Sequence, residues 1–134
     1  MTTPQDTPQD APKDAPRIMI VEDEALVALM VEDLLTDFGC RISGSFGAVD
    51  EALAYLSGAA VPPAALDGAV LDVNVGGTMV FPVAERLRAA GIPFVFATGY
   101  GALPRQGFED IVVLNKPIDP ILLEDAVRGF RRAA

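Results

Sequence analysis

The chain has 134 residues, 51% of them hydrophobic, which suits one folded domain with a substantial core. Its net charge of −9 argues against binding nucleic-acid phosphates or an anionic membrane, and is compatible with a divalent cation or a basic partner surface. The absence of histidine and the single cysteine, Cys40, exclude histidine-assisted nucleophilic catalysis, histidine-ligated zinc and an intrachain disulfide.

Residues 1–16 repeat a four-residue unit: Pro4-Gln5-Asp6-Thr7, Pro8-Gln9-Asp10-Ala11, Pro12-Lys13-Asp14-Ala15, then Pro16. Regular proline with almost no apolar side chains predicts a disordered tail, with the folded domain over 17–134. Ile18-Met19-Ile20-Val21 is a continuous apolar run, as expected for a strand covered on both faces. Val27, Met30, Val31, Leu34, Leu35 and Phe38 then recur at helical spacing from Ala25 to Phe38, with Gly39 as the stop. Cys40 follows that stop and reads as a small buried hydrophobe.

A second strand is expected over Arg41–Phe46, a second helix marked by Val49, Leu53 and Leu56, and a third strand at Ala69-Val70-Leu71 after the Pro62-Pro63 loop. Val80–Ala90 predicts a third helix ending at Gly91, with Pro82 tolerated in its first turn. Phe94–Ala97 is a fourth strand. Gly99, Gly101, Pro104 and Gly107 then interrupt the fourth crossover, so its helix is expected to be short or irregular. Ile111–Leu114 is a fifth strand, and Asp119 caps a last helix that turns Leu123, Val127 and Phe130 inward. Arg128, Arg131 and Arg132 near its end complement the helix dipole. Five short strands alternating with helical stretches predict an α/β fold with a doubly wound parallel sheet and helices on both faces. No apolar run approaches the ~18 residues that span a bilayer, and the N-terminus carries no secretory pattern, so a cytoplasmic protein is expected.

In open α/β sheets ligands bind beyond the carboxyl ends of the strands. Strand one ends in Glu22-Asp23, strand three in Asp72, strand four in Thr98 and strand five at Lys116, the only lysine besides Lys13 in the tail. Like-charged carboxylates held together must share a cation or a proton. Oxygen ligands without histidine or cysteine suit Mg²⁺. A carboxylate beside Mg²⁺ can attack a phosphoryl group to form an acyl phosphate, with Asp72, on the central strand, as the candidate nucleophile. Lys116 and Thr98 would then meet the charge on the transferred group.

In this combination and order the chain resembles the receiver domain of two-component response regulators, over roughly residues 17–132, which implies a flavodoxin-like (βα)5 doubly wound five-stranded parallel sheet in the order 2-1-3-4-5. Ile20-Val21-Glu22-Asp23-Glu24 resembles the opening acidic cluster and Leu71-Asp72-Val73-Asn74 the phosphoacceptor segment, while Ala97-Thr98 and Lys116-Pro117 match the hydroxyl and lysine positions. The resemblance implies Mg²⁺ held by Asp23, Asp72, the backbone carbonyl of Asn74 and Glu22, the last directly or through water. It implies phosphoryl transfer to Asp72 from a sensor histidine kinase or a histidine phosphotransfer protein, and output through contact with a further protein. A protein of this kind catalyses only its own phosphorylation and dephosphorylation.

Phe96-Ala97-Thr98-Gly99-Tyr100-Gly101 resembles the FATGUY subgroup, many of whose members are single-domain receivers. Where many receivers carry an aromatic switch residue, three positions before the lysine, this chain has Val113, and Tyr100 is a candidate substitute. Two other readings stay open: a pseudo-receiver that binds a partner without phosphorylation, and a Mg²⁺-dependent phosphatase of the haloacid dehalogenase type. The latter typically has a second acid two residues past the nucleophile, where Asn74 stands.

Overall fold

A computed structural model describes residues 15–58, 66–99 and 107–133. Residues 1–14 of the tail expected over 1–16, the Pro62-Pro63 loop, and Tyr100 with the stretch to residue 106 lie outside the described residues, whereas Ala15 and Pro16 are buried and the Pro16 carbonyl accepts from Arg41 N–H at 2.7 Å. The elements run β1 (Arg17–Val21), α1 (Ala25–Asp37), β2 (Arg41–Phe46), α2 (Val49–Ser57), β3 (Gly68–Asp72), β4 (Asn74–Val75), β5 (Thr78–Met79), α3 (Phe81–Ala89), β6 (Phe94–Thr98), β7 (Val113–Asn115) and α4 (Pro120–Ala133).

Five strands form one parallel sheet in the order β2-β1-β3-β6-β7, and β4 and β5 form a separate antiparallel pair. With that hairpin set aside, the order is the expected 2-1-3-4-5 of a flavodoxin-like α/β fold. Both faces of the sheet are covered, which is why its central strands read as unbroken apolar runs. Met19, Val21, Leu71, Phe94 and Phe96 pack into one layer with α2 and α3. Ile18, Ile20, Val70, Val95 and Ala97 pack into the other with α1 and α4.

Three details differ from the pattern read in the sequence. The buried stripe of α1 centres on Ala28, Val31 and Leu35, and Met30 turns outward with Leu26 and Leu29. On α2 the fully buried middle position is Ala52, with Leu53 only partly covered. The last strand starts at Val113 because a turn, with Ile111 N–H donating to the Phe108 carbonyl at 3.1 Å, keeps Ile111 off the ladder. Among the described residues, no helix lies between β6 and β7. The cap of α4 forms as expected, with Ile121 N–H donating to Asp119 Oδ1 at 2.8 Å and Leu123, Val127 and Phe130 buried. No described helix is long and apolar enough to cross a membrane.

At the start of β3 the sheet and α4 meet at van der Waals contact. A Cβ on Gly68 would lie 2.3 Å from Phe130 Cδ2, so the ring packs directly on the strand backbone and glycine is required there.

Candidate functional site

The parallel register brings the carboxyl ends of β1, β3, β6 and β7 to one edge. Glu22-Asp23 follow β1, Asp72 closes β3, Thr98 closes β6 and Lys116 follows β7. A backbone hydrogen bond from Lys116 N–H to the Thr98 carbonyl, 2.9 Å, ties the last two together, and the Lys116–Pro117 peptide is cis.

Glu22, Asp72 and Thr98 are buried, whereas Asp23 is exposed. Buried acids need partners, since an unpaired charge out of water is costly. Lys116 Nζ supplies them, 2.8 Å from Glu22 Oε1 and 3.4 Å from Asp72 Oδ2. Glu22 Oε2 also accepts from Glu24 N–H at 3.0 Å, and Asp23 Oδ2 from Gly76 N–H at 3.0 Å.

One ammonium does not balance this edge. Glu22, Asp23 and Asp72 each offer a carboxylate oxygen, and these oxygens lie within 4.8 Å of one another. Burial pushes the Asp72 carboxyl up from the ordinary 3.8 to about 7, and the Glu22 charge pushes the same way, against the pull of Lys116. For Lys116, burial alone would lower the ammonium. The hydrogen bond to Glu22 and the charges of Asp72 and Glu22 outweigh it and hold Lys116 above its ordinary value. The edge therefore has a deficit of positive charge and an all-oxygen donor set, which fits a hard divalent cation. It faces an open cleft of about 460 Å³.

No protein-family model and no curated protein matches the sequence. Solved structures do match. The solution structure of SdrG from Sphingomonas melonis Fr1 is 38% identical, over 89% of this chain and 98% of that one, with a TM-score of 0.73. The crystal structure of a response regulator receiver protein from Sinorhizobium medicae WSM419 is 30% identical, over 89% and 96%, with a TM-score of 0.74. The chain belongs to the response regulator receiver family. A further match is the crystal structure of the response regulator PhyR from Brucella abortus, 25% identical with a TM-score of 0.67, over 84% of this chain and 46% of that one.

In this receiver all six residues singled out in the sequence lie at the same edge. Asp23, Asp72, Asn74, Thr98 and Lys116 line the cleft, and Glu22 is bound to Lys116 beneath it. Asn74 opens the β4–β5 hairpin, and its Oδ1 accepts from Gly77 N–H at 2.9 Å.

Sequence reasoning missed that hairpin and the Gly76 contact to Asp23. Gly76-Gly77 between Val75 and Thr78 is the local signal that marks them. It also missed Phe108, which stacks on Phe81 at 5.5 Å between ring centroids and meets Phe94 and Phe96 edge-on. Val113 packs against this aromatic layer and pairs in register with Phe96.

Proposed function

We propose that this receiver takes a phosphoryl group onto Asp72 from a phosphohistidine, on a sensor histidine kinase or a histidine phosphotransfer protein, and signals through contact with a further protein. The observation that supports this most is the pairing of a buried, charge-frustrated Asp72 with Lys116 and Glu22 at the mouth of the cleft. In the transfer, an Asp72 carboxylate oxygen forms the new P–O bond as the donor's P–N bond breaks, and the leaving imidazole keeps the electron pair.

Asp72 must be ionised to attack, so its raised pKa has to be lowered first. Mg²⁺, held by Asp23, Asp72, the Asn74 carbonyl and Glu22, directly or through water, would supply the missing positive charge. Lys116 stays charged through its contact with Glu22 and is placed to meet a phosphoryl oxygen, and the Thr98 hydroxyl can donate to another. The surface around β6 and β7 is where the change would be read. The Phe96–Gly101 segment points to the FATGUY subgroup. Nothing in this reading requires turnover of a separate substrate.

The test is incubation with Mg²⁺ and acetyl phosphate, followed by intact mass analysis. One base-labile phosphoryl adduct should form on the wild type and none on Asp72→Asn. Binding of Mg²⁺ without any adduct would instead support a receiver that acts by partner binding alone.

A further inference from the structure

We infer that the β4–β5 hairpin positions the metal site: the Gly76 N–H holds the Asp23 carboxylate in its ligating orientation. This rests on the reading that Glu22, Asp23 and Asp72 hold a divalent cation. Asp23 is the exposed member of that set, so its side chain would otherwise exchange rotamers in water. The Gly76 N–H, 53 residues further along the chain, donates to its Oδ2 at 3.0 Å. A carboxylate oxygen of Asp23 lies within 4.8 Å of one on Asp72, so its orientation bears directly on the shared site.

The direction of the Gly76 N–H is set by the hairpin and not by Asp23. Gly76 and Gly77 have φ of +60° and +92°, two consecutive left-handed residues as a tight two-residue hairpin turn demands. The Gly77 N–H is taken by Asn74 Oδ1. Below the turn, Asn74 pairs with Met79 and Val75 with Thr78, and Val80 N–H donates to the Val73 carbonyl at 2.9 Å. Val75 and Val80 are buried, which anchors both legs in the core. The turn is therefore rigid before any cation arrives, and the entropy of ordering Asp23 is spent on folding instead of on binding. Gly76 is a positioning residue, acting through its amide alone.

The experiment uses the full chain and Mg²⁺ alone as the probe. Gly77→Val forces a β-branched residue into a left-handed turn and should weaken Mg²⁺ binding about tenfold by titration calorimetry, the low end of what loss of a ligand's partner costs. As a measurement that does not perturb the turn, the Gly76 amide resonance in metal-free protein should move upfield and exchange faster in Asp23→Ala.

Equal Mg²⁺ affinity in Gly77→Val, or an unchanged Gly76 resonance in Asp23→Ala, would overturn the inference while leaving the proposed function standing. A wild type that binds no Mg²⁺ would overturn both. Failure of acetyl phosphate to modify Asp72, with Mg²⁺ affinity still following the hairpin, would remove the phosphotransfer reading only.

Discussion

Strand β3 is buried along its whole length, yet its two ends are built on opposite principles. At Gly68 the backbone is bare and the Phe130 ring rests on it, so that end is optimised for packing. At Asp72 a carboxylate is buried beside a second acid with one ammonium between them, and burial together with the Glu22 charge pushes its pKa up. One end of the strand stabilises the fold, and the other gives up stability in a form that a bound cation would recover. Local destabilisation of this kind is expected where binding supplies the missing interaction.

Substitutions at the two ends should therefore move stability in opposite directions. Gly68→Ala should cost most, about 3 kcal/mol, because the new methyl meets the Phe130 ring and overpacks the α4 layer. Urea unfolding measures this, and Gly68→Ala combined with Phe130→Leu should recover part of the loss.

Asp72→Asn should stabilise the metal-free protein by about 1–2 kcal/mol at pH 8. That is below the limit of roughly 4 kcal/mol set by 1.4 kcal/mol per pH unit, because the pairing with Lys116 is lost as well. The sign follows from the raised value. The folded chain binds the Asp72 proton more tightly than the unfolded one, so this contribution is fully present below about pH 4 and is lost as pH rises to about 7. Unfolding midpoints of the wild type should fall across that window, and those of Asp72→Asn should fall less.

Away from β3 the expected effects shrink. Asp119→Ala removes the side-chain cap on Ile121 N–H and should cost about 1 kcal/mol. Arg88 donates to the Gly107 carbonyl at 2.7 Å, pairs with Asp110 at 3.0 Å and lies over the Phe108 ring. Those contacts are largely solvent-screened, and Arg88→Ala should cost only about 0.5 kcal/mol. Its clearer readout is faster amide exchange at residues 107–110.

The same contrast explains what the sequence made legible. The parallel sheet followed from apolar runs long enough to be strands, the central ones β1, β3 and β6 buried on both faces, separated by helical periods. The site was legible because Glu22, Asp72 and Thr98 are the first polar side chains after apolar runs and Lys116 is the first charged one after Ile111–Leu114, so topology collects them at one edge. The β4–β5 hairpin was missed because two-residue strands carry no period, and its contribution is a backbone N–H that no side chain announces. On α1, Met30 and Ala28 exchanged roles because helical spacing admits a rotation of the stripe, and only packing on the sheet selects Ala28. At Gly68 the sequence holds a glycine before an apolar run; the reason for it lies 62 positions away, in Phe130.

The central claim is that the acid end of β3 lacks positive charge, which a divalent cation supplies. Unfolding free energy at pH 8, measured against Mg²⁺ concentration for the wild type and Asp72→Asn, tests it most directly. The account predicts that the wild type starts less stable and gains steeply with Mg²⁺, while Asp72→Asn starts higher and gains little. Parallel curves, or a wild type indifferent to Mg²⁺, would contradict it.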